Sequence, residues 1–319
     1  MENTEIILII GFYTLFLNYI FSKIEFFRDR KKISIHKTFT NSSLMPPFSG
    51  GAIFLLTIII FFSNNNYDYL ILFFLFFFIG FFFVFNILKS PNFRFVLQIF
   101  FLVFFITILD ISIESIRIDF FDNLLRNIFF KIFFSTFCIL ILINGTNFID
   151  GLNTLVIGYY ILVLFFIGTV TKDFSYNFFS SGEFIILLSV LTFLFILNFF
   201  EQLYLGDGGA YLLSIFFGIY LINVYNDNNA ISPYYIMNLL WYPAYENLFS
   251  IIRKIIFKYS AFKPDNFHLH QIIFSKFKKK LKNKKILNTL NYLIINLFNL
   301  LIFYLASTDY SNTKFQLMI

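Results

Sequence analysis

Charge is scarce in this chain of 319 residues. Asp, Glu, Lys and Arg together make up 13%, against about 25% in soluble domains. So little charge excludes a disordered chain and a basic nucleic-acid-binding domain, and no nucleic-acid partner is expected. Cysteine occurs once, as Cys138 inside an apolar run, which excludes an internal disulfide. No internal repeat is visible. Positive charge before the first apolar run is missing and no small-residue cleavage site follows it, so no cleavable signal is expected. What is abundant is apolar: 59% of residues are hydrophobic, with 54 Phe and 19 Tyr. One core of a soluble fold could not bury that surface, so the composition predicts an all-α polytopic membrane protein. The excess of Phe, Ile, Asn and Lys also fits a bias toward AT-rich codons. The informative positions are therefore those where the apolar runs stop.

Ten runs approach the roughly 20 residues a spanning helix needs. They are 5–22, 49–63, 68–88, 95–110, 128–144, 154–171, 183–200, 209–225, 231–252 and 286–305. If the loops after the odd-numbered runs share one side, that side holds 19 of the 24 basic residues, eleven of them in 253–285. The positive-inside bias makes these loops cytoplasmic and puts both termini outside. The chain reads as one integral membrane domain, 1–319. Its Lys-rich stretch 276–285 reads as an anchor for anionic headgroups. His36, His268 and His270 all fall on the cytoplasmic side, as an active site at that membrane surface would require.

Four polar breaks lie on this side. In Asn144-Gly-Thr-Asn147-Phe-Ile-Asp150-Gly151-Leu-Asn153, carboxamides and a carboxylate three to four apart share a helix end. That grouping suits a hard cation or a polar headgroup, or simply a solvated helix start. In Leu205-Gly206-Asp207-Gly208-Gly209, bare backbone leads into a helix N-terminus, which suits a phosphate with Asp207 holding a cation, or a tight capped turn. Pro264-Asp265-Asn266-Phe267-His268-Leu269-His270-Gln271 precedes the basic stretch, where phosphate is a more natural partner than zinc because no third ligand lies near. The segment 28–51 runs from a basic cluster through His36 to Ser49-Gly50-Gly51. Few ionisable residues are centred in a run, since Glu246 and Lys131 lie toward run ends. That argues against a transporter or channel.

In this order, over about residues 28–275, the breaks resemble those of the polyprenyl-phosphate N-acetylhexosamine-1-phosphate transferase family, glycosyltransferase family 4. Asn144 to Gly151 resembles its Asn-x-x-Asn-x-x-Asp-Gly motif, and Leu205 to Gly209 its Leu-Gly-Asp-x-Gly motif. Asp265 to Gln271 resembles its Asp-x-x-His-x-His-His motif. Arg253-Lys254 and the entry from His36 to Gly51 fit as well. The family's topology also has ten spans with both termini outside.

The resemblance implies transfer of an N-acetylhexosamine 1-phosphate from a UDP-sugar to polyprenyl phosphate. The reaction would release UMP and initiate a lipid-linked surface polysaccharide, in the WecA-like, O-antigen branch of the family. It implies Mg²⁺ as cofactor, a bacterial inner membrane location and a homodimer. By resemblance Asp150, Asp207 and His268 are catalytic. Asn147, Asn153, His270, His36 and Gly208 bind substrate, and Asp207 with Asn147 holds the metal. The sequence departs from the pattern in places. The family's Asp-Asp pair after the third span is replaced by hydrophobic residues at Phe83-Val84 or Val84-Phe85. The last His of the histidine motif is Gln271, Asn153 stands where many members have Asp, and Glu201 stands where a basic residue is frequent. The alternative is therefore a catalytically impaired member that binds polyprenyl phosphate or a glycosyltransferase partner.

Overall fold

In hydrocarbon no water satisfies the backbone, so apolar segments must close their hydrogen bonds internally, and helices do this residue by residue. The structure, a computed structural model, describes residues 3–24, 27, 47–62, 67–84, 90–171, 180–258, 267–280 and 283–319. Among them are fourteen helices and no strand. In chain order these are α1 (Asn3–Lys23), α2 (Gly50–Phe62), α3 (Tyr67–Val84), α4 (Pro91–Leu109), α5 (Asp119–Leu125), α6 (Ile128–Ile149) and α7 (Leu155–Thr171). They continue with α8 (Ser181–Phe199), α9 (Gly206–Asp227), α10 (Pro233–Leu239), α11 (Trp241–Ile256), α12 (Leu269–Lys278), α13 (Lys284–Thr308) and α14 (Thr313–Gln316). Six of them, α1, α4, α6, α8, α9 and α13, are long and apolar enough to cross a bilayer, while α2, α3 and α7 are shorter and equally apolar. The chain is an all-helical, multi-pass membrane protein.

The run 231–252 is two helices rather than one. Leu240 leaves helical geometry at φ −111°, ψ 8° between α10 and α11. Pro243 supplies the reason, because its ring would collide with the carbonyl four residues back in a continuous helix, yet it is tolerated in the first turn of a new one. α11 buries one face, including Tyr242, Glu246, Asn247 and Ser250. It exposes Leu248, Phe249, Ile252 and Ile255 on the other.

α9 is the central helix and is buried along almost its whole length. It is surrounded by α2, α3, α6 and α7. Its first turn is thin, and neighbours come close there. A Cβ on Gly51 of α2 would lie 2.5 Å from the Gly209 Cα, and one on Gly80 of α3 would lie 2.6 Å from the Asp207 carbonyl. Small residues that let backbones approach this way are a common means of packing helices in lipid. Around this centre α1 packs on α8, α13 on α7, and α4 and α11 on α6.

At the end of the bundle away from the α9 N-terminus, Arg117 ties loops together. Its guanidinium donates to the carbonyls of Asn229 (2.8 Å), Ile231 (2.6 Å) and Ser311 (3.3 Å), and to Thr313 Oγ1 (3.1 Å). Asn226 Nδ2 donates to Ser112 O at 2.7 Å on the same side.

Candidate active site

The polar breaks are shorter in space than in sequence, because helix continues into both glycine-bearing ones. Asn144 to Ile149 remain in α6, and the turn falls at 150–154. Asn144 stays helical by donating to Leu140 O (2.9 Å), and Thr146 Oγ1 is hydrogen-bonded to Tyr160 Oη (2.7 Å). Gly145 is required by its neighbour, since a methyl there would overlap the Pro243 carbonyl of α11. Likewise Gly206 to Gly209 form the first turn of α9, which Gly206 enters at φ 74°, a left-handed value that glycine adopts without steric cost.

The second and fourth breaks join each other. Gly50 N–H donates to Tyr204 O (3.0 Å), Gly51 N–H to Leu205 O (3.3 Å) and Tyr204 N–H to Pro47 O (2.9 Å). Ser49 Oγ donates to Asn18 Oδ1 (2.9 Å), which ties α1 to the same place. Asp207, half-buried, shares a face of α9 with Tyr211 one turn on. Gly208 is buried, and the side where a Cβ would stand meets the Phe77 carbonyl and the Phe81 nitrogen of α3. The missing side chain at 208 is thus accounted for by helix packing.

Arg94, in the first turn of α4, lies over the Tyr211 ring, 5.8 Å from guanidinium carbon to centroid. α4 starts here for a local reason: Ser90 is its N-cap, accepting from Phe93 N–H at 3.3 Å, and Pro91 is its first residue. One turn on, buried Gln98 accepts from Asn144 Nδ2 at 3.5 Å. α4 thus touches the Asp207-bearing helix at Tyr211 and α6 at Asn144. Asn147, Phe148 and the C-cap residue Asp150 follow on α6.

The histidine loop closes on that end of α6. The His268 ring lies 4.9 Å from Phe148, and the His268 and His270 rings stack at 5.9 Å and 3°. A Cβ on Gly151 would lie 2.5 Å from His270 Nε2, so glycine at 151 makes the seat for that ring. His270 is 2% exposed, and neither of its ring nitrogens has a hydrogen-bond partner among the described residues. Burial first, and then the neighbouring His268, push its pKa down to about 3, so it is neutral. Its carbonyl accepts from Asn291 Nδ2 of α13 at 2.6 Å.

His268 is 5% exposed, and its Nδ1 donates to Glu246 Oε2 at 3.0 Å. Arg253 holds the loop entrance by donating to Phe267 O at 3.1 Å. Gln271, where the resembled pattern has a third histidine, accepts from His268 N–H through Oε1 at 3.3 Å and so caps α12.

Asn153, half-buried, lines a cleft with Glu201, Lys285, Asn288, Thr289 and Tyr292. His36 and Asp265 lie outside the described residues, as does Phe85. Phe83 and Val84 end α3, and neither residue type carries a side-chain oxygen. Among the described residues no three His, Cys, Asp or Glu side chains cluster as a metal cage. Asp207 and Asp150 are acids that a phosphate-bound cation can use. Asp207 lies in the first turn of α9 and Asp150 caps α6, and a carboxylate of either kind is what Mg²⁺ commonly takes together with substrate phosphates.

Sequence reasoning passed over Glu246 as a residue near a run end. A lone acid in an apolar run was nonetheless a usable signal.

Residues 88–225 match the family model for glycosyl transferase family 4. That stretch holds the start of α4, the end of α6 and the α9 turn. A protein of Bacillus subtilis (strain 168), described as a probable undecaprenyl-phosphate N-acetylglucosaminyl 1-phosphate transferase, is 28% identical over 128 residues. The match covers 40% of this chain and 36% of that relative, so the chain spans about a third of the relative's length in this comparison.

Proposed function

We propose, from the match of residues 88–225 to glycosyl transferase family 4, that the protein transfers an N-acetylhexosamine 1-phosphate from a UDP-sugar to polyprenyl phosphate, undecaprenyl phosphate in a bacterium. One observation carries this reading beyond the matched stretch. The histidine loop, outside 88–225, packs its two rings on Phe148 and Gly151 at the end of α6. Two of the breaks that the resemblance singles out are therefore in contact, a histidine loop and an Asn- and Asp-bearing helix end, and this supports a common polar site at that end of the helix.

An acceptor phosphate oxygen attacks the phosphorus bearing the sugar. The bond from that phosphorus to the bridging oxygen breaks, and UMP leaves with the electron pair. Catalysis of such a transfer is mostly positioning and charge neutralisation. Asp207, with Asn147, would hold Mg²⁺ against the diphosphate, and the ion would supply charge stabilisation of the leaving phosphate. Asp150 orders the nucleotide and metal region, Asn147 and Asn153 bind the nucleotide sugar, and His268 contacts the diphosphate. The product would start a lipid-linked cell-surface polysaccharide from the cytoplasmic face of the inner membrane. A homodimer belongs to the same reading.

The second reading, a non-catalytic member that binds polyprenyl phosphate or a glycosyltransferase partner, is favoured by the hydrophobic residues at 83–84. UMP release separates the two. Membranes carrying the protein are offered a panel of UDP-N-acetylhexosamines, with and without undecaprenyl phosphate and Mg²⁺. Release is expected to need both and to fall at least about 10²-fold in Asp207→Asn, as when a charge-stabilising group is removed from an active site. Release that persists undiminished in Asp207→Asn sinks the site assignment. No release with any donor, followed by gain of activity in a Phe83→Asp, Val84→Asp double variant, establishes the second reading.

A further inference from the structure

We propose that Glu246 is the positioning residue of His268, fixing its Nδ1 proton and its ring plane so that Nε2 is the nitrogen the histidine presents to the phosphates. The proposal rests on the transferase reading above and assigns a role to a residue outside all four polar breaks.

Glu246 is 2% exposed, and both its oxygens are spent on the histidine loop. Oε1 accepts from Leu269 N–H at 2.8 Å and Oε2 from His268 Nδ1 at 3.0 Å. Burying a carboxylate is costly unless it is paired and hydrogen-bonded. Holding the loop gives no sufficient reason for an acid at 246. Gln271 already caps His268 N–H, Arg253 already holds the Phe267 carbonyl, and Asn291 already holds the His270 carbonyl. What a carboxylate adds is control of the imidazole. An acceptor on Nδ1 selects the tautomer and orientation of the ring, as carboxylate partners do for metal-bound and catalytic histidines. The ring also packs on Phe148 and on His270.

Glu246 is itself placed by a rigid frame. The next residue, Asn247, donates from Nδ2 to Ile141 O of α6 at 3.1 Å. Gly145 lets Pro243 lie directly against the same helix. α6, which carries Asn147 and Asp150, therefore also sets the carboxylate that sets His268. With no acid at 83–84, this buried carboxylate–imidazole pair is a proton-organising device the site retains.

The chain has three histidines, so ¹⁵N-histidine labelling of the full-length protein in lipid gives a spectrum simple enough to assign with His36→Gln and His270→Phe. At alkaline pH, His268 is expected to carry its proton on Nδ1. Glu246→Gln keeps an oxygen for Leu269 N–H but sets an NH₂ donor against Nδ1, which moves the proton to Nε2. The same variant is expected to lower kcat for UMP release roughly 10²-fold, within the range of a positioned acid–base group, with KM for the UDP-sugar nearly unchanged. Glu246→Asp should recover about tenfold of that loss, within the same acid–base range. Glu246→Gln combined with His268→Ala should be no slower than His268→Ala alone, since residues acting as a unit are non-additive.

A folded Glu246→Gln protein with wild-type kcat, an additive double variant, or an unchanged His268 tautomer overturns the proposal. Should Glu246→Gln fail to fold, Glu246→Asp carries the same comparison. If the wild type releases no UMP with any donor while the tautomer still follows residue 246, the transferase reading fails and the Glu246–His268 assignment stands.

Discussion

His270 sits in a closed seat with no partner for either ring nitrogen among the described residues, and it is held neutral by burial. Its pKa is about 3 in the folded protein against an ordinary 6.5. The unfolded chain therefore binds a proton that the folded one refuses throughout that window. The contribution is intact above about pH 6.5 and is lost as pH falls toward 3, with a slope approaching 1.4 kcal/mol per pH unit. Melting curves in detergent between pH 4 and 8 should show the wild type losing stability on acidification faster than His270→Phe, which keeps the ring and removes the basic nitrogens. Parallel curves would mean that this imidazole does not resist protonation. His268, two residues away, meets a buried carboxylate instead, so adjacent histidines of one motif have opposite surroundings. Nothing in His-x-His distinguishes them. The difference comes from Gly151 on one side and Glu246 on the other, both brought in by tertiary packing.

At the scale of the helices, apolar run length was enough to locate most elements, because in lipid each such run must close its own hydrogen bonds. It failed where side chains satisfy the backbone locally. Asn144, Gly145 and Thr146 read as the end of a span, yet α6 runs on to Ile149 because Asn144 and Thr146 bond within the bundle. It failed again at 231–252, where Pro243 divides the run and α11 turns polar on one face. The motif residues stood out in the sequence one break at a time. Their meeting did not, since Glu246 and His268 come together only through the crossing of α11 on α6. That crossing is sensitive to one atom. Gly145→Ala puts a methyl into the Pro243 carbonyl and is expected to cost about 1–3 kcal/mol, the usual penalty of overpacking. Under the proposed transferase reading it should also reduce UMP release, because α11 carries Glu246. Gly182→Ala, at a position with nothing within 4 Å of the new methyl, is the control and should change stability by no more than about 0.5 kcal/mol. Equal melting temperatures for the two variants would show that the α6–α11 contact tolerates the methyl.

Across the whole molecule the two ends of the bundle differ in how they treat positive charge. The end with the α9 N-terminus holds Arg94, Arg253, Lys254, Lys279 and Lys280. Among the described residues the opposite end holds few basic ones, and Arg117 there is consumed by four oxygens from the loop before α10 and the segment around α14. An arginine so fully used is a structural tie and carries little weight as a topology signal. Setting it aside strengthens the charge bias from which a cytoplasmic site end is proposed. The consequence is measurable with single cysteines in a Cys138→Ser background. Asp119 and Lys280 are exposed at the two ends. Asp119→Cys should react with a membrane-impermeant maleimide in intact cells, whereas Lys280→Cys should react only after the membrane is opened. The reverse pattern would put the site on the outer face, away from the cytoplasmic pool of nucleotide sugars. The transferase reading would then fail on access alone, whatever the geometry of the histidines.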